Sequence, residues 1–476
     1  MPEDGKVAKF GGACVSNPEM YDRMAAILKS DPGRKSVVVS AVAGVTDSLV
    51  QTIARPREEK EIDQYIADLR KRHVALLPAS PEDRGRATEA LDALLTKLER
   101  LLYGIAYTEE ITARIRDFVL SFGERLSAQV VVANLRSRGI EAEAFEADQI
   151  GLMTDENYGN ATALLEDTRD HMAPILRRQA AAGHVAVVTG FFGLSPEGKT
   201  ATFGRGGSDY SAAVVAHALG LRTVEIWKDV GGFMSADPKI VPEAFPLSVL
   251  SYDEAAELSY FGAKVLHPRA VQPARACGAS LYLKNVYRPG DAGTRIGPDT
   301  VDKSGDVKSV SYVRDLATLK VYATGLGSDE VLLSRSSTAL ADAAVNIYSA
   351  ATSQTCVAFL IESDAVNRAK KALSRADHLA LEKVEATPHA SLVCFVGEGI
   401  GHAHGIAARV FRAVADRGIG VQFITAGASM VACQFTVDTK DLEDALRAVH
   451  REFFGDGGKR HGSASAAVPS ASAPLP

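Results

Sequence analysis

A chain of 476 residues is too long to fold around one core and divides into two or three domains. Its 46% hydrophobic and 24% charged residues are ordinary for a globular protein, and a formal net charge of −6 leaves no broad basic field for a nucleic-acid partner. Five scattered cysteines without C-x-x-C spacing fit reduced thiols better than a disulfide frame or a zinc site; with no apolar leader and no apolar run long enough for a bilayer, the expected compartment is the cytoplasm, without a membrane partner.

The chain opens as an α/β pattern, with strand-like runs at 7–10 and 36–42 flanking a helix around 19–28. From Arg55 to Arg138 it turns helical. Stretches 87–102 and 108–135 carry apolar residues at i, i+3, i+4 spacing, and Pro78 and Pro81 separate the first helical stretch from the next. From Ile140 to Tyr287, short buried strands at 185–189, 223–227 and 280–284 alternate with helices and glycine-rich loops. That alternation predicts a mostly parallel sheet with helices on both faces and sites at the carboxyl ends of its strands.

A polar linker follows at 288–308, and then a weak internal repeat. Strand 319–324, helix 329–340, strands 345–350 and 357–362 and helix 364–373 form one strand–helix–strand–strand–helix unit. Strand 391–397, helix 405–417, strands 420–425 and 433–438 and helix 442–453 form another. The Gly/Ser/Ala/Pro-rich tail at 455–476 is expected to be disordered.

The densest motif runs from Thr202 to Ala212 through Gly204-Arg205-Gly206-Gly207-Ser208-Asp209. It follows the strand at 185–189 and a hairpin at 191–199, and opens a helix over 210–219. Three glycines allow close backbone approach, and a helix N-terminus offers free N–H groups to an anion. Ser208 or Asp209 would serve as the N-cap. A capped turn alone needs one glycine and no arginine.

Lys9-Phe10-Gly11-Gly12 sets a point cation beside close-packed backbone at the end of the first strand, as phosphoryl transfer requires. Alone the motif is weak, and a surface lysine before a turn is the favoured reading. Glu225 to Gly232, continuing to Lys239, ends another strand in charged groups and a Gly-Gly turn; this suits a nucleotide's base and ribose, or a solvated loop. In the segment 261–268, Lys264 stands at a helix-to-loop break and His267 reads as a packed or capping residue. Glu124, in Ser121-Phe122-Gly123-Glu124-Arg125, follows a glycine that interrupts a long helix. It aims into a cleft or sits on a solvated face. The segment from Val39 to Asp47 supplies hydroxyls and N–H groups at a capped helix start. No H-E-x-x-H or comparable cluster suggests a protein-only metal site.

In this order, the segments resemble the aspartate kinase family of the amino-acid kinase superfamily, from Lys9 to about Phe454. The resemblance implies a three-layer α/β amino-acid kinase fold with a mostly parallel central sheet, followed by paired α+β ACT modules. Its implied domains are a catalytic domain over 1–290 with a helical insertion at about 55–138, and ACT modules over 308–388 and 389–454. It implies ATP-dependent phosphorylation of the aspartate side-chain carboxylate, the first step of the aspartate-derived amino-acid pathway, with Mg2+ carried by ATP. The ACT modules would bind amino-acid effectors and build a homodimer or higher oligomer.

By position, Lys9 resembles the catalytic lysine, Asp209 the aspartate that holds it, and Arg205 the grip on the substrate α-carboxylate. Glu124 resembles the partner of the α-ammonium, with Thr46 and Ser40 in the same pocket. The nucleotide positions are Lys9, Phe10, Gly11, Gly12, Gly204, Gly206, Gly207, Ser208, Lys228, Asp229, Met234, Lys239, Lys264 and Val265.

Several positions depart from the family. Ala13 and Cys14 replace Thr-Ser, removing two hydroxyls expected beside the phosphates, and Lys228 replaces a threonine, restoring charge near the nucleotide. Met234 replaces a tyrosine and Lys239 an arginine. The runs Ala350-Ala351-Thr352-Ser353-Gln354 and Ala426-Gly427-Ala428-Ser429-Met430 lack the family's acidic effector-facing position, which predicts weak or absent feedback inhibition. A superfamily kinase for another amino acid, or a catalytically weak regulatory paralogue, is the alternative reading.

Overall fold

The computed structural model describes residues 5–55, 57–263, 265–298, 307–323, 330–375 and 381–455. They fall into two compact units: residues up to Met234 with Phe245–Val301, and Ser235–Ala244 with the chain from Asp302 onward. Lys264, residues 299–306 of the expected linker and 456–476 of the expected tail lie outside the described residues.

The first unit is built on β1 (Val7–Phe10), β2 (Ser36–Val39), β3 (Ala142–Phe145), β4 (Val185–Thr189), β7 (Thr223–Lys228), β8 (Val249–Leu250), β9 (Ser280–Asn285) and β10 (Thr294–Ile296). Their order is β3-β4-β2-β1-β7-β9-β10-β8, parallel except where β10 meets β9. β5 (Phe192–Leu194) and β6 (Thr200–Thr202) form a separate hairpin.

Every residue of β1, β2 and β4 is buried, so both faces of this sheet must be covered. Helix α5 (Ala113–Arg136) packs on β2, β3 and β4 together with α1 (Pro18–Lys29), and α2 (Val45–Ile53) packs on α5. Helix α7 (Gly207–Leu219) packs on β1, β2 and β7 together with α6 (Leu165–Ala181) and α9 (Val271–Cys277), and α8 (Tyr252–Tyr260) packs on α9. The result is a three-layer α/β fold with a mostly parallel sheet.

The helical insertion is α3 (Glu59–Val74), α4 (Pro81–Thr108) and α5. Pro81 opens α4 in its first turn, where the missing N–H has no helical partner to lose. α5 runs through Gly123 without the expected break. The glycine serves contact instead: a Cβ there would lie 2.8 Å from Ala41 Cβ, so only a bare Cα lets the loop after β2 close on the helix.

The second unit carries a six-stranded antiparallel sheet, ordered β12-β13-β11-β14-β16-β15. Its strands are β11 (Ser309–Ala323), β12 (Ile347–Thr352), β13 (Cys356–Glu362), β14 (Leu381–Val396), β15 (Phe423–Thr425) and β16 (Ala432–Asp438). Helices α10 (Glu330–Asp342) and α11 (Val366–Ser374) belong to one repeat, α12 (Ile406–Ala415) and α13 (Leu442–Phe454) to the other.

The two repeats are interleaved. β11 and β14 pair along their length, but the start of β11 packs Val310 with Val393 and Phe395 in one core, while Leu319 and Val321 pack with Phe359 and Leu373 in another. Asp315 and His389, at φ 60° and 66°, mark the irregular stretch between the halves. The first core also takes Ala236, Ile240 and Val241 from the segment Ser235–Ala244. That segment is fixed by the Tyr312 hydroxyl donating to Asp237 at 2.9 Å and Arg447 Nε donating to the Ile240 carbonyl at 3.1 Å.

Candidate active site

Because β2, β1 and β7 run parallel in register, with Val39, Phe10 and Trp227 side by side, their carboxyl ends open at one edge of the sheet. A cavity of about 530 Å³ lies there, lined by Lys9 of β1, Lys228 at the end of β7, the loop that leaves β2, and residues of α2, α5 and α7.

At one end sits a charge cluster. Lys9 is 4% exposed, and its ammonium lies 2.7 Å from Asp209 Oδ1. Lys228 Nζ donates to Asp209 Oδ2 at 2.9 Å and also to the Val265 carbonyl. Asp209 therefore holds two ammonium groups at once. Burial alone would raise its pKa, but the charges of Lys9 and Lys228 outweigh burial and hold it down at about 2. For Lys228 the dominant influence is burial, which lowers its pKa against the pull of Asp209.

Asp209 reaches this position from the first turn of α7, not as its cap. The N-cap is Gly206 at φ 74°, with no side-chain capping bond, so the expected Ser208 or Asp209 cap is replaced by a left-handed glycine. A Cβ on Gly206 would meet His267 at 2.7 Å, which makes the position doubly glycine-specific. His267 packs there, its pKa lowered by burial.

Glu124 lies at the other end of the cavity. It is 3% exposed, and Oε1 accepts the Ala41 N–H at 3.0 Å while Oε2 has no protein partner. Burial pushes its pKa up to about 8, against the opposing influence of the Ala41 N–H and Lys9. A solvated helix face is thus ruled out. Ser40, Thr46, Arg205, Gly204, Gly207 and Ser208 line the same cavity. Arg205 is exposed, and its side chain has no hydrogen-bond or ion-pair partner among the described residues.

The remaining predicted positions fall elsewhere. Phe10 is fully buried and stacks on Trp227 at 6.3 Å, because strand alternation turns it away from the face that carries Lys9. Gly11 donates its N–H to the Trp227 carbonyl, and a Cβ on Gly12 would lie 2.8 Å from the Ala41 carbonyl; both shape the turn behind Lys9. Val265 contributes its carbonyl to Lys228. Asp229 and Met234 do not line the cavity, and the exposed Lys239 sits on the Ser235–Ala244 segment of the second unit. Nor does either departure beside the glycines, Ala13 or Cys14, line it. The Cys14 thiol donates to the Trp227 carbonyl at 3.3 Å and is kept protonated by burial, its pKa raised to about 11.

The amino acid kinase family model matches residues 5–285, more than half of the chain, and an ACT domain model matches 393–453. The chain belongs to the amino acid kinase family. Among the relatives of this kinase, Aspartokinase 1 of Arabidopsis thaliana, a chloroplastic protein, is 31% identical over 467 residues, covering 95% of this chain and 80% of its own. The crystal structure of E. coli aspartokinase III in complex with aspartate and ADP (R-state) matches with a TM-score of 0.82 at 26% identity, covering 94% of this chain and all of that one. The same enzyme in complex with lysine and aspartate (T-state) matches with a TM-score of 0.77 at 26% identity, covering 95% and 100%. Within its family this kinase stands with the aspartokinases.

The kinase cavity also contains residues that motif reading passed over. Asp117 and Arg116 come from the start of α5, and Phe191 from the turn between β4 and the hairpin. Phe191 holds φ at 77°, a left-handed conformation a bulky residue rarely adopts, with its N–H donated to Ser211 Oγ at 2.9 Å. No local pattern marks them: Asp117 reads as one more helix-face acid until the fold buries it. Among the described residues no group of three or more His, Cys, Asp or Glu side chains could hold a metal ion, and no helix is long and apolar enough to cross a membrane.

Proposed function

We propose that this protein transfers the γ-phosphoryl group of ATP to the side-chain carboxylate of L-aspartate, forming 4-phospho-L-aspartate and ADP. The observation that carries the reading is the joining, in one cavity, of the Lys9–Asp209–Lys228 cluster with Glu124 and Arg205. One end suits polyphosphate; the other suits an α-amino acid.

A substrate carboxylate oxygen attacks the γ-phosphorus, the bond from that phosphorus to the bridging oxygen of ADP breaks, and the ADP oxygen carries the electron pair away. A carboxylate is ionised at neutral pH, so no general base is required. The protein's part is placement and charge neutralisation. Lys9 bridges the phosphates and the transferred group, with Asp209 fixing its ammonium. The N–H groups at the start of α7 face the phosphates, Arg205 takes the α-carboxylate as a bidentate fork, and Glu124 takes the α-ammonium. Mg2+ enters as the counter-ion of the nucleotide substrate, because the carboxylate nearest the phosphate end is already committed to two lysines.

The C-terminal unit is read as two ACT modules that build a homodimer or higher oligomer. Because neither polar run has an acidic residue, lysine or threonine is expected to inhibit weakly or not at all; strong inhibition by either would refute that part. The cytoplasm is the proposed compartment, in keeping with five free cysteines. The test of the whole reading is a panel of aspartate, glutamate, cysteate and threonine with ATP consumption as readout. Aspartate is expected to give the highest kcat/KM, and preference for another member overturns the assignment.

A further inference from the structure

We propose that Asp117 is a positioning residue that holds the Arg205 turn in register for the substrate α-carboxylate, without touching the substrate itself. The inference rests on the reading of Arg205 given above. Asp117 is 1% exposed and lies in the wall of the cavity, yet it belongs to no ion pair among the described residues. Its Oδ2 accepts two backbone N–H groups from separate segments, Gly159 at 2.7 Å and Thr202 at 2.7 Å. Thr202 ends β6, three residues before Arg205.

The Gly159 loop is itself packed on the arginine turn. A Cβ on Gly204 would sit 3.1 Å from the Gly159 carbonyl, and Ala161 N–H donates to the Thr202 carbonyl at 2.9 Å. Arg269 secures the far side of the loop, donating to Asn160 Oδ1 at 2.8 Å, the Ala161 carbonyl at 2.6 Å and Thr162 Oγ1 at 3.0 Å while stacking over Tyr210. Arg205 has no side-chain partner among the described residues, so the backbone that carries it is what fixes its place. A buried carboxylate receiving two N–H groups gives short, charge-assisted bonds, and Asp117 is the only side chain that ties α5 to both segments among the described hydrogen bonds.

The test compares Asp117→Ala and Asp117→Asn with the full-length wild type, measuring KM for aspartate, KM for ATP, kcat and thermal melting. Asp117→Ala is expected to raise KM for aspartate by about tenfold or more, with KM for ATP little changed. Asp117→Asn keeps a carbonyl oxygen able to accept both N–H groups and is expected to show a smaller rise, about threefold. In an Arg205→Ala background, where kcat/KM is read below saturation, Asp117→Ala is expected to add less than about twofold, since both changes act through one guanidinium. If Asp117→Ala does not fold, Asp117→Asn carries the test, with about a threefold rise in KM for aspartate in the wild-type background and none in the Arg205→Ala background. Equal losses in both backgrounds, or a parallel rise in KM for ATP, overturn the positioning role. A wild type inactive on aspartate overturns the functional reading itself, so the two failures are distinguishable.

Discussion

The two ends of the cavity treat a buried carboxyl group in opposite ways. Asp209 and Glu124 are both nearly inaccessible to water, and burial pushes both toward the neutral form. At the phosphate end, Lys9 and Lys228 overcome that push and Asp209 stays charged, its pKa near 2. At the amino-acid end backbone N–H groups and the more distant charges of Lys9 and Arg125 do not, and the pKa of Glu124 rises to about 8. The difference teaches what each is for. Asp209 has its cations built in and serves to hold them; Glu124 has one oxygen unpartnered and lacks a cation until a substrate supplies one.

The comparison breaks most sharply at Lys9. Lys9→Met removes the point charge at the phosphates and is expected to lower kcat by about 10²–10³-fold, the cost of losing one preorganised electrostatic contact. Circular dichroism should show the fold retained, because Lys228 still neutralises Asp209. A loss below tenfold would place the transferring cation elsewhere.

Glu124→Gln is expected to raise KM for aspartate by about tenfold, the cost of one charged partner. It also sharpens the contrast through pH. The substrate ammonium needs ionised Glu124, so in the wild type kcat/KM for aspartate rises with pH up to about 8 and then levels. The amide in the variant cannot ionise, and this rise should disappear. Stability moves the other way. Between the ordinary value of 4.5 and the folded value near 8 the folded state binds more protons, so Glu124 costs stability as pH rises through that window. Asp209 has the opposite sign: its contribution is present above pH 3.8 and lost as pH falls toward 2. Chemical denaturation from pH 5 to 9 should find Glu124→Gln losing less stability than wild type, by on the order of a few kcal/mol.

How much of this was legible without coordinates differs between the two ends as well. The phosphate end is written in contiguous motifs, Lys9 to Gly12 and Gly204 to Asp209, because close backbone approach demands glycine at fixed spacing from a charge. The strands are legible too, since β2 and β4 are almost wholly apolar runs and β1 is interrupted only by Lys9. The amino-acid end is assembled from residues far apart in sequence. Asp117 acts on Gly159 and Thr202, and Glu124 on Ala41, through contacts only the tertiary fold creates. The partner of Lys228 was equally hidden. A charged strand end points to a nucleotide or to solvent, but not to an ammonium that shares Asp209 with Lys9. The placing of Ser235–Ala244 in the second unit was hidden for the same reason: its Ala236, Ile240 and Val241 match no core until β11 and α13 are folded beside them.

The smallest effect is expected at Lys228. Lys228→Thr leaves Lys9 paired with Asp209 and removes one positive charge from the cavity, so KM for ATP should rise by roughly threefold to tenfold while KM for aspartate holds. Titration of ADP binding by calorimetry checks this apart from turnover; unchanged ADP affinity would show that Lys228 serves only to hold Asp209.

The central claim is that this cavity phosphorylates a carboxylate. The direct measurement is hydroxamate formation when the protein is incubated with aspartate, Mg-ATP and hydroxylamine, which traps an acyl phosphate. The account predicts ATP-dependent aspartyl hydroxamate from the wild type and almost none from Lys9→Ala. Product from the wild type indistinguishable from that of Lys9→Ala would contradict it.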